Sequence, residues 1–181
     1  MKFIKYILLL AIVAGFTQCC KEKPTNSNNN NIPGLPPATQ AGANTLGFLL
    51  NGVPWVPAGN NGTANLSIDF DPGFNNGILN IVAYNFMNIT DEQFTISIRD
   101  SLNFMAIPIT IQLSRNSLYS ISFRNNCDYW NQMSDVISTG SFTINKLDRG
   151  QQIISGIFNA TLSKAGCQTI KITEGRFDMK F

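Results

Sequence analysis

Phe94-Thr95-Ile96-Ser97-Ile98-Arg99 decides the fold, because apolar and polar residues alternate through it without a break. A strict period of two sends one set of side chains to a core and the other to water, the signature of a half-buried β-strand. The same alternation recurs on either side. Leu66, Ile68 and Phe70 alternate with Ser67, Asp69 and Asp71; Ile109, Ile111 and Leu113 with Thr110, Gln112 and Ser114; Tyr119, Ile121 and Phe123 with Ser120, Ser122 and Arg124. Residues 78–86 (ILNIVAYNF) are apolar on both faces at Ile81 and Val82, which predicts a central strand. No segment carries a sustained 3.6-residue period.

Turn chemistry divides these runs at hairpin spacing. Asn51-Gly52 is a strong two-residue hairpin signal. Asp71-Pro72-Gly73, Asn75-Asn76-Gly77, Arg115-Asn116, Asp148-Arg149-Gly150 and Lys164-Ala165-Gly166 mark further turns. Residues 41–181 are the right length for one domain. The expectation is an all-β, antiparallel domain of about ten strands, with one short helical or irregular excursion over residues 128–138. A β-sandwich and a closed meander barrel both satisfy this pattern.

The chain opens differently. Lys2 and Lys5 form a positive n-region, and residues 6–16 (YILLLAIVAGF) are eleven uncharged, mostly apolar residues. A bilayer-spanning helix needs about 20, so this run fits the h-region of a signal peptide over residues 1–19. The adjacent Cys19 and Cys20 follow where a cleavage site would lie. They resemble a bacterial lipoprotein signal, in which a cysteine becomes the mature N-terminus and carries lipid such as diacylglyceryl and palmitate chains. The residue before the cut is small in such signals, and Cys19 is smaller than Gln18; Cys20 is therefore the expected lipidation site and Cys19 the alternative. Lys21-Glu22-Lys23 resembles the short charged export signal of Bacteroidetes surface lipoproteins, here with mixed charge. Residues 24–40 (PTNSNNNNIPGLPPATQ) offer almost nothing to bury, so residues 20–40 read as a flexible, disordered tether.

Four blocks within the domain strengthen that assignment. Near its start stands Gly47-Phe-Leu-Leu-Asn-Gly-Val-Pro-Trp55. Near its end stand Thr139-Gly-Ser-Phe-Thr-Ile-Asn-Lys-Leu-Asp148, Ile154-Ser-Gly-Ile-Phe-Asn-Ala160 and Ile172-Thr-Glu-Gly-Arg-Phe-Asp178. Together they resemble a Bacteroidetes lipoprotein family with a β-rich domain of unknown function. The resemblance implies a membrane-anchored β fold in the cell envelope, at the outer membrane and either periplasmic or surface-exposed. It carries over no catalytic residue. Asp100-Ser101-Leu102 also resembles a short Bacteroidetes O-glycosylation acceptor.

The available chemistry is narrow. Histidine is absent, which removes Ser-His-Asp and Cys-His catalysis and imidazole-based zinc sites. The nucleophile-elbow, P-loop and dinucleotide patterns are missing as well. Glycosidases need only two carboxylates, so Asp69, Asp71, Asp91, Glu92, Asp128 and Glu174 qualify by type. Most of these fall at turns or on solvent faces. Asp69 and Asp71 with Asp91 and Glu92 could supply hard oxygen ligands to calcium, but without a known loop spacing. The expectation is no metal, no cofactor and no enzymatic activity. The chain carries 13 basic against 11 acidic residues, and removing the signal with Lys2 and Lys5 leaves 11 against 11, so no basic footprint for nucleic acid exists.

Cys127 and Cys167 are the two cysteines of the domain itself. An oxidising compartment favours their pairing, which would close a loop of roughly 40 residues and stabilise by about 4 kcal/mol in the chain-entropy account. The competing reading is two buried thiols too far apart to bridge. Trp55 and the pair Tyr129-Trp130 could form a sugar-stacking platform; the simpler reading packs Trp55 at the end of the core and Trp130 beneath a loop. Two functions follow. The first is a non-enzymatic interaction or structural domain anchored through membrane lipid and contacting an envelope protein. The alternative is a carbohydrate- or small-ligand-binding module that contacts a glycan.

Overall fold

The computed structural model describes residues 32–87, 91–115, 117–129 and 133–181. In chain order the strands are β1 (Thr45–Leu50), β2 (Val53–Trp55), β3 (Leu66–Asp71), β4 (Ile78–Asn85), β5 (Glu92–Ile98), β6 (Ile109–Gln112), β7 (Tyr119–Arg124), β8 (Asp128–Tyr129), β9 (Val136–Asp148), β10 (Ile153–Lys164) and β11 (Ile170–Lys180). They form a six-stranded sheet in the order β2-β1-β11-β10-β9-β6 and a five-stranded sheet in the order β3-β4-β5-β7-β8. Every strand pair is antiparallel. The sheets do not close on one another, so the domain is a β-sandwich and the barrel alternative falls.

The four alternating runs are strands β3, β5, β6 and β7, and the turn signals separate them as expected. Asn51 and Gly52 take φ of 49° and 87°, the left-handed pair that a tight hairpin between β1 and β2 requires. Eleven strands stand among the described residues, in line with the expected number of about ten. Within residues 128–138 the chain forms β8 and then enters β9 at Val136, so no helix occupies its described part. The helical excursion is instead a single 3-10 turn at Leu102–Phe104, entered through Ser101 at φ 67°. Strand β4 is an interior strand, but only one of its faces is fully buried. Ile81 points into the core while Val82 is half-buried on the outer side.

Large aromatic side chains fill the space between the sheets. Phe48 stacks on Trp55 with ring centroids 4.7 Å apart, and Phe94 of the opposite sheet stacks on Phe158 at 5.0 Å. Phe48 meets Phe94 at 4.7 Å, so the cluster crosses the sandwich. Such pairs add about 0.5–1.5 kcal/mol each beyond the area they bury. The glycines of the terminal blocks are spaces for this packing and for neighbouring backbone. A Cβ on Gly156 would lie 2.2 Å from the Thr143 carbonyl oxygen and 2.7 Å from Phe177 Cζ. The pairing register shifts beside Gly156 and again near Glu174, so both positions are bulges or close approaches.

Residues 32–40, expected as the end of the tether, lie against the domain. Leu35 is buried, and Pro36 covers Gly47 so closely that a Cβ there would meet Pro36 Cδ at 2.6 Å. The segment is clipped by the carboxylate of Asp178, which is 1% exposed. Asp178 accepts hydrogen bonds from Thr39 Oγ1 at 2.5 Å and from the amides of Ala41, Gly42 and Ala43 at 2.9, 2.8 and 3.2 Å. Burial alone would raise the pKa of this carboxyl; the Thr39 hydroxyl and the three amides outweigh it and hold the pKa below its ordinary value. The last residue of the G-x-F-D block therefore fastens the chain's entry into the domain.

Candidate functional site

Strict alternation on three adjacent strands sends a patterned set of side chains outward from the five-stranded sheet. Strand β4 contributes Asn80 and Val82, β5 contributes Gln93, Thr95 and Ser97, Arg99 follows directly after β5, and β7 contributes Ser120, Ser122 and Arg124. These line a shallow groove of about 170 Å³, with no carboxylate or thiol in its lining. The cross-strand register makes Asn80 and Ser97 neighbours, and likewise Thr95 and Ser122. Ser97 Oγ donates to Asn80 Oδ1 at 2.7 Å, and Gln93 Nε2 to Thr95 Oγ1 at 3.3 Å. Arg99 is anchored through Nη2 to the Ser117 carbonyl at 2.8 Å. The polar floor is thus held in place by its own hydrogen bonds, an arrangement that reduces the ordering a ligand must impose.

An aromatic pair stands at one end of this face. Tyr84 shares the outward side of β4 with Val82, and its ring stacks on Phe86 with centroids 5.3 Å apart and planes 10° from parallel. Both rings are half-exposed. Tyr84 is paired across the sheet with Gln93, which in turn is paired with Arg124. The aromatic pair, an amide and a guanidinium consequently converge at that end.

The expected shelf of Trp55, Tyr129 and Trp130 is not where the exposed rings are. Tyr129 is 1% exposed, its hydroxyl donates to the Gln168 carbonyl, and burial pushes its pKa up. It turns inward because β8 places it opposite Phe123, whose ring belongs to the core. Trp55 is 4% exposed and packs on Phe48, with its Nε1 donating to Glu92 Oε2 at 2.7 Å. The core reading of Trp55 holds, and neither ring is available to a sugar. Trp130 lies outside the described residues, as do Cys19 and Cys20 with the rest of residues 1–31. Among the described residues no helix is long and apolar enough to cross a membrane.

Cys127 and Cys167 are joined as a disulfide across 40 residues of chain. The bond ties the start of β8, at the edge of the five-stranded sheet, to the turn before β11 in the other sheet. The carboxylates are scattered. Asp71 pairs with Ile78 and Glu92 with Asn85, at opposite ends of β4 and roughly 24 Å apart at about 3.4 Å per residue. Asp69, Asp71, Asp91 and Glu92 therefore cannot surround one calcium ion. Asp71 instead accepts from the Gly73 amide at 2.7 Å to shape its turn, and Glu174 pairs with Arg176 at 3.3 Å beside the bulge. Ser101 Oγ donates to Asp100 Oδ1 at 2.9 Å.

The groove was readable in outline. Its hydroxyls and guanidiniums occupy the polar half of the alternation in β5 and β7, and what hid the aromatic pair was the apolar look of ILNIVAYNF. No family model, curated protein or solved structure matches this chain.

Proposed function

We propose that the chain is a cell-envelope lipoprotein, anchored through lipid on Cys20 with Cys19 as the alternative, whose sandwich binds a ligand without turning it over. The observation that carries the binding part is the groove on β4, β5 and β7. Its lining supplies hydroxyls, amides and guanidiniums, groups suited to holding a polar ligand. General acid–base work near neutral pH wants a carboxylate, imidazole, amine or thiol within reach of the reacting atom, and the lining offers none. Half-exposed Tyr84 and Phe86 add apolar area of the kind that stacks on sugar rings at small entropic cost. This balance favours a ligand-binding module over a purely structural envelope domain.

The anchor rests on the sequence: a short h-region ending at adjacent cysteines, and terminal blocks resembling Bacteroidetes lipoproteins. Several acyl chains on one cysteine would hold the protein at a membrane, since each buried methylene contributes about 0.8 kcal/mol. Cells supplied with labelled fatty acid test this. Label should appear in the wild type and disappear in Cys20→Ala. Loss in Cys19→Ala alone would move the site by one residue, and an unlabelled wild type would end the lipoprotein reading.

A further inference from the structure

We infer that the free edge of β3 is a docking site for one extended strand of a partner polypeptide, apolar on its inward side and basic on its outward side. This is a different surface from the groove and does not depend on the groove's ligand. A glycan array comparing wild type with Tyr84→Ala tests the groove, and an empty array would end that reading while leaving this one standing. Strand β3 ends the five-stranded sheet and pairs with β4 alone. The Tyr84 amide donates to the Asn65 carbonyl at 2.8 Å, which fixes the phase of the ladder. Antiparallel alternation then aims the N–H and C=O of Leu66, Ile68 and Phe70 away from β4, toward the open side. An added strand finds backbone donors and acceptors there at every second residue.

Sheet edges are usually guarded, and here the other edge strands are short. Strands β2, β6 and β8 span three, four and two residues; β2 contains Pro54 and β6 follows Pro108. Strand β3 has six residues, no proline and an unbroken register with β4. Its inward side chains are incompletely covered. Leu66, Ile68 and Phe70 pack against the core yet are only half-buried, whereas their partners Ala83, Ile81 and Leu79 on β4 are buried. At the Leu66 end an open groove of about 350 Å³ lies between β1 and β3, with Pro36, Leu46, Val56 and Pro57 in its lining. At the other end Phe70 packs on Phe181 with centroids 4.4 Å apart, and the Arg149 guanidinium stands 6.0 Å from the Phe70 ring. Apolar side chains of an incoming strand would complete this cover.

Charge selects the partner. Asp69 and Asp71 are exposed on the outward side, beside Asn80 and Ile78 of β4, and neither joins an ion pair formed among the described residues. Opposite charges facing each other across two strands contribute about 0.2–1 kcal/mol, and like charges oppose pairing. The two aspartates therefore disfavour a second copy of β3, whose own aspartates would meet them on that face. They favour lysine or arginine at alternate positions.

The test uses the full-length chain in a neutral detergent and fluorescent peptides: Val-Lys-Val-Lys-Val-Lys-Val, its Val-Glu counterpart, and a fully N-methylated Val-Lys form that keeps its charge but has no backbone donors. Anisotropy should show the Val-Lys peptide bound and the other two free. Hydrogen exchange should slow at the amides of Leu66, Ile68 and Phe70 when it binds. Asp69→Lys should weaken binding by about fivefold and admit the Val-Glu peptide. Ile68→Pro, which removes an edge donor that β4 does not use, should abolish it. Asp128→Asn, at the opposite edge of the same sheet, should leave it unchanged. Failure of the Val-Lys peptide to bind, equal binding of its N-methylated form, or equal losses in Asp69→Lys and Asp128→Asn would overturn the inference. Slow exchange at the same amides without any peptide would overturn it too, by giving the edge to a second copy or to the chain's own residues 1–31.

Discussion

Asp178→Ala should release the entry segment from the domain. The carboxylate accepts four hydrogen bonds, three from successive backbone amides and one from Thr39. A hydrogen bond to a charged group contributes about 1.5–3 kcal/mol. Four cannot be summed, because the freed amides can swing out and bond to water. The cost is then capped by the detachment of residues 32–44, which includes exposing Leu35. We expect a loss of about 2–4 kcal/mol, against about 1–2 kcal/mol for Asp178→Asn, which keeps one acceptor oxygen. Urea denaturation measures the totals, and hydrogen exchange at Ala41, Gly42 and Ala43 reports the local release. The pH dependence has a definite sign. A carboxyl whose folded pKa is depressed contributes its full stability above the unfolded value of about 3.9, and that contribution is lost as pH falls through the lower folded value. The gap between wild type and Asp178→Asn should therefore hold steady from neutral pH down to about pH 5 and close only below about pH 4. Variants within about 0.5 kcal/mol of wild type, with unchanged exchange at the three amides, would refute the clip.

Three further perturbations test the packing. Gly156→Ala must place a methyl 2.2 Å from the Thr143 carbonyl oxygen, so it should cost about 3 kcal/mol or more and reduce the soluble yield. Gly166→Ala, whose turn has nothing within 4 Å of the added methyl, should keep a soluble domain and lose only the strain of its positive φ; similar losses at the two sites would contradict the steric account. Replacing Cys127 and Cys167 together with serine should lower the urea midpoint by the equivalent of about 2–4 kcal/mol, and an unchanged midpoint would show that the bridge contributes nothing. Trp55→Phe retains a ring for Phe48 but removes the indole N–H that donates to Glu92 Oε2, so calorimetry should show a loss of about 1.5–3 kcal/mol, and a variant as stable as wild type would remove that hydrogen bond from the account.

Different kinds of information reached the sequence to different degrees. Strands β3, β5, β6 and β7 were legible because each has one wet and one dry face, and that contrast is written in consecutive residues. Sandwich against barrel was not, because closure depends on which distant strands meet, as when Thr45 of β1 pairs with Asp178 of β11. The cysteine pair could be anticipated because residues 41–181 hold no third cysteine to compete for either partner. Tyr129 misled because a polar local context, CDYWNQ, says nothing about the Gln168 carbonyl that receives its hydroxyl 39 residues away. Tyr84 erred in the opposite direction. Lying in an apolar run, it gave no sign of a binding role, yet parity with Val82 sends it to the outer face.

Asp178 shows where such reading stops for a physical reason. Its partners, apart from Thr39, are backbone amides, and an amide is the same at every non-proline residue. Residues 41–43 are Ala-Gly-Ala, a stretch with no side chain able to announce an anion-binding turn. What the sequence did display was the other half of the contact, an aspartate closing a G-x-F-D block and placed where an outward strand position is normally solvated. The difference between that ordinary position and the observed one, 1% exposed with a depressed pKa, is made entirely by the segment laid over it. A terminal carboxylate on a strand and a glycine-containing entry segment thus define one device only after folding brings them together. Its consequence for function lies in geometry. The clip holds the entry segment to β11 in the six-stranded sheet, whereas the groove occupies the outer face of the other sheet. The chain therefore enters the domain on one sheet and leaves the polar face of the opposite sheet open to a ligand.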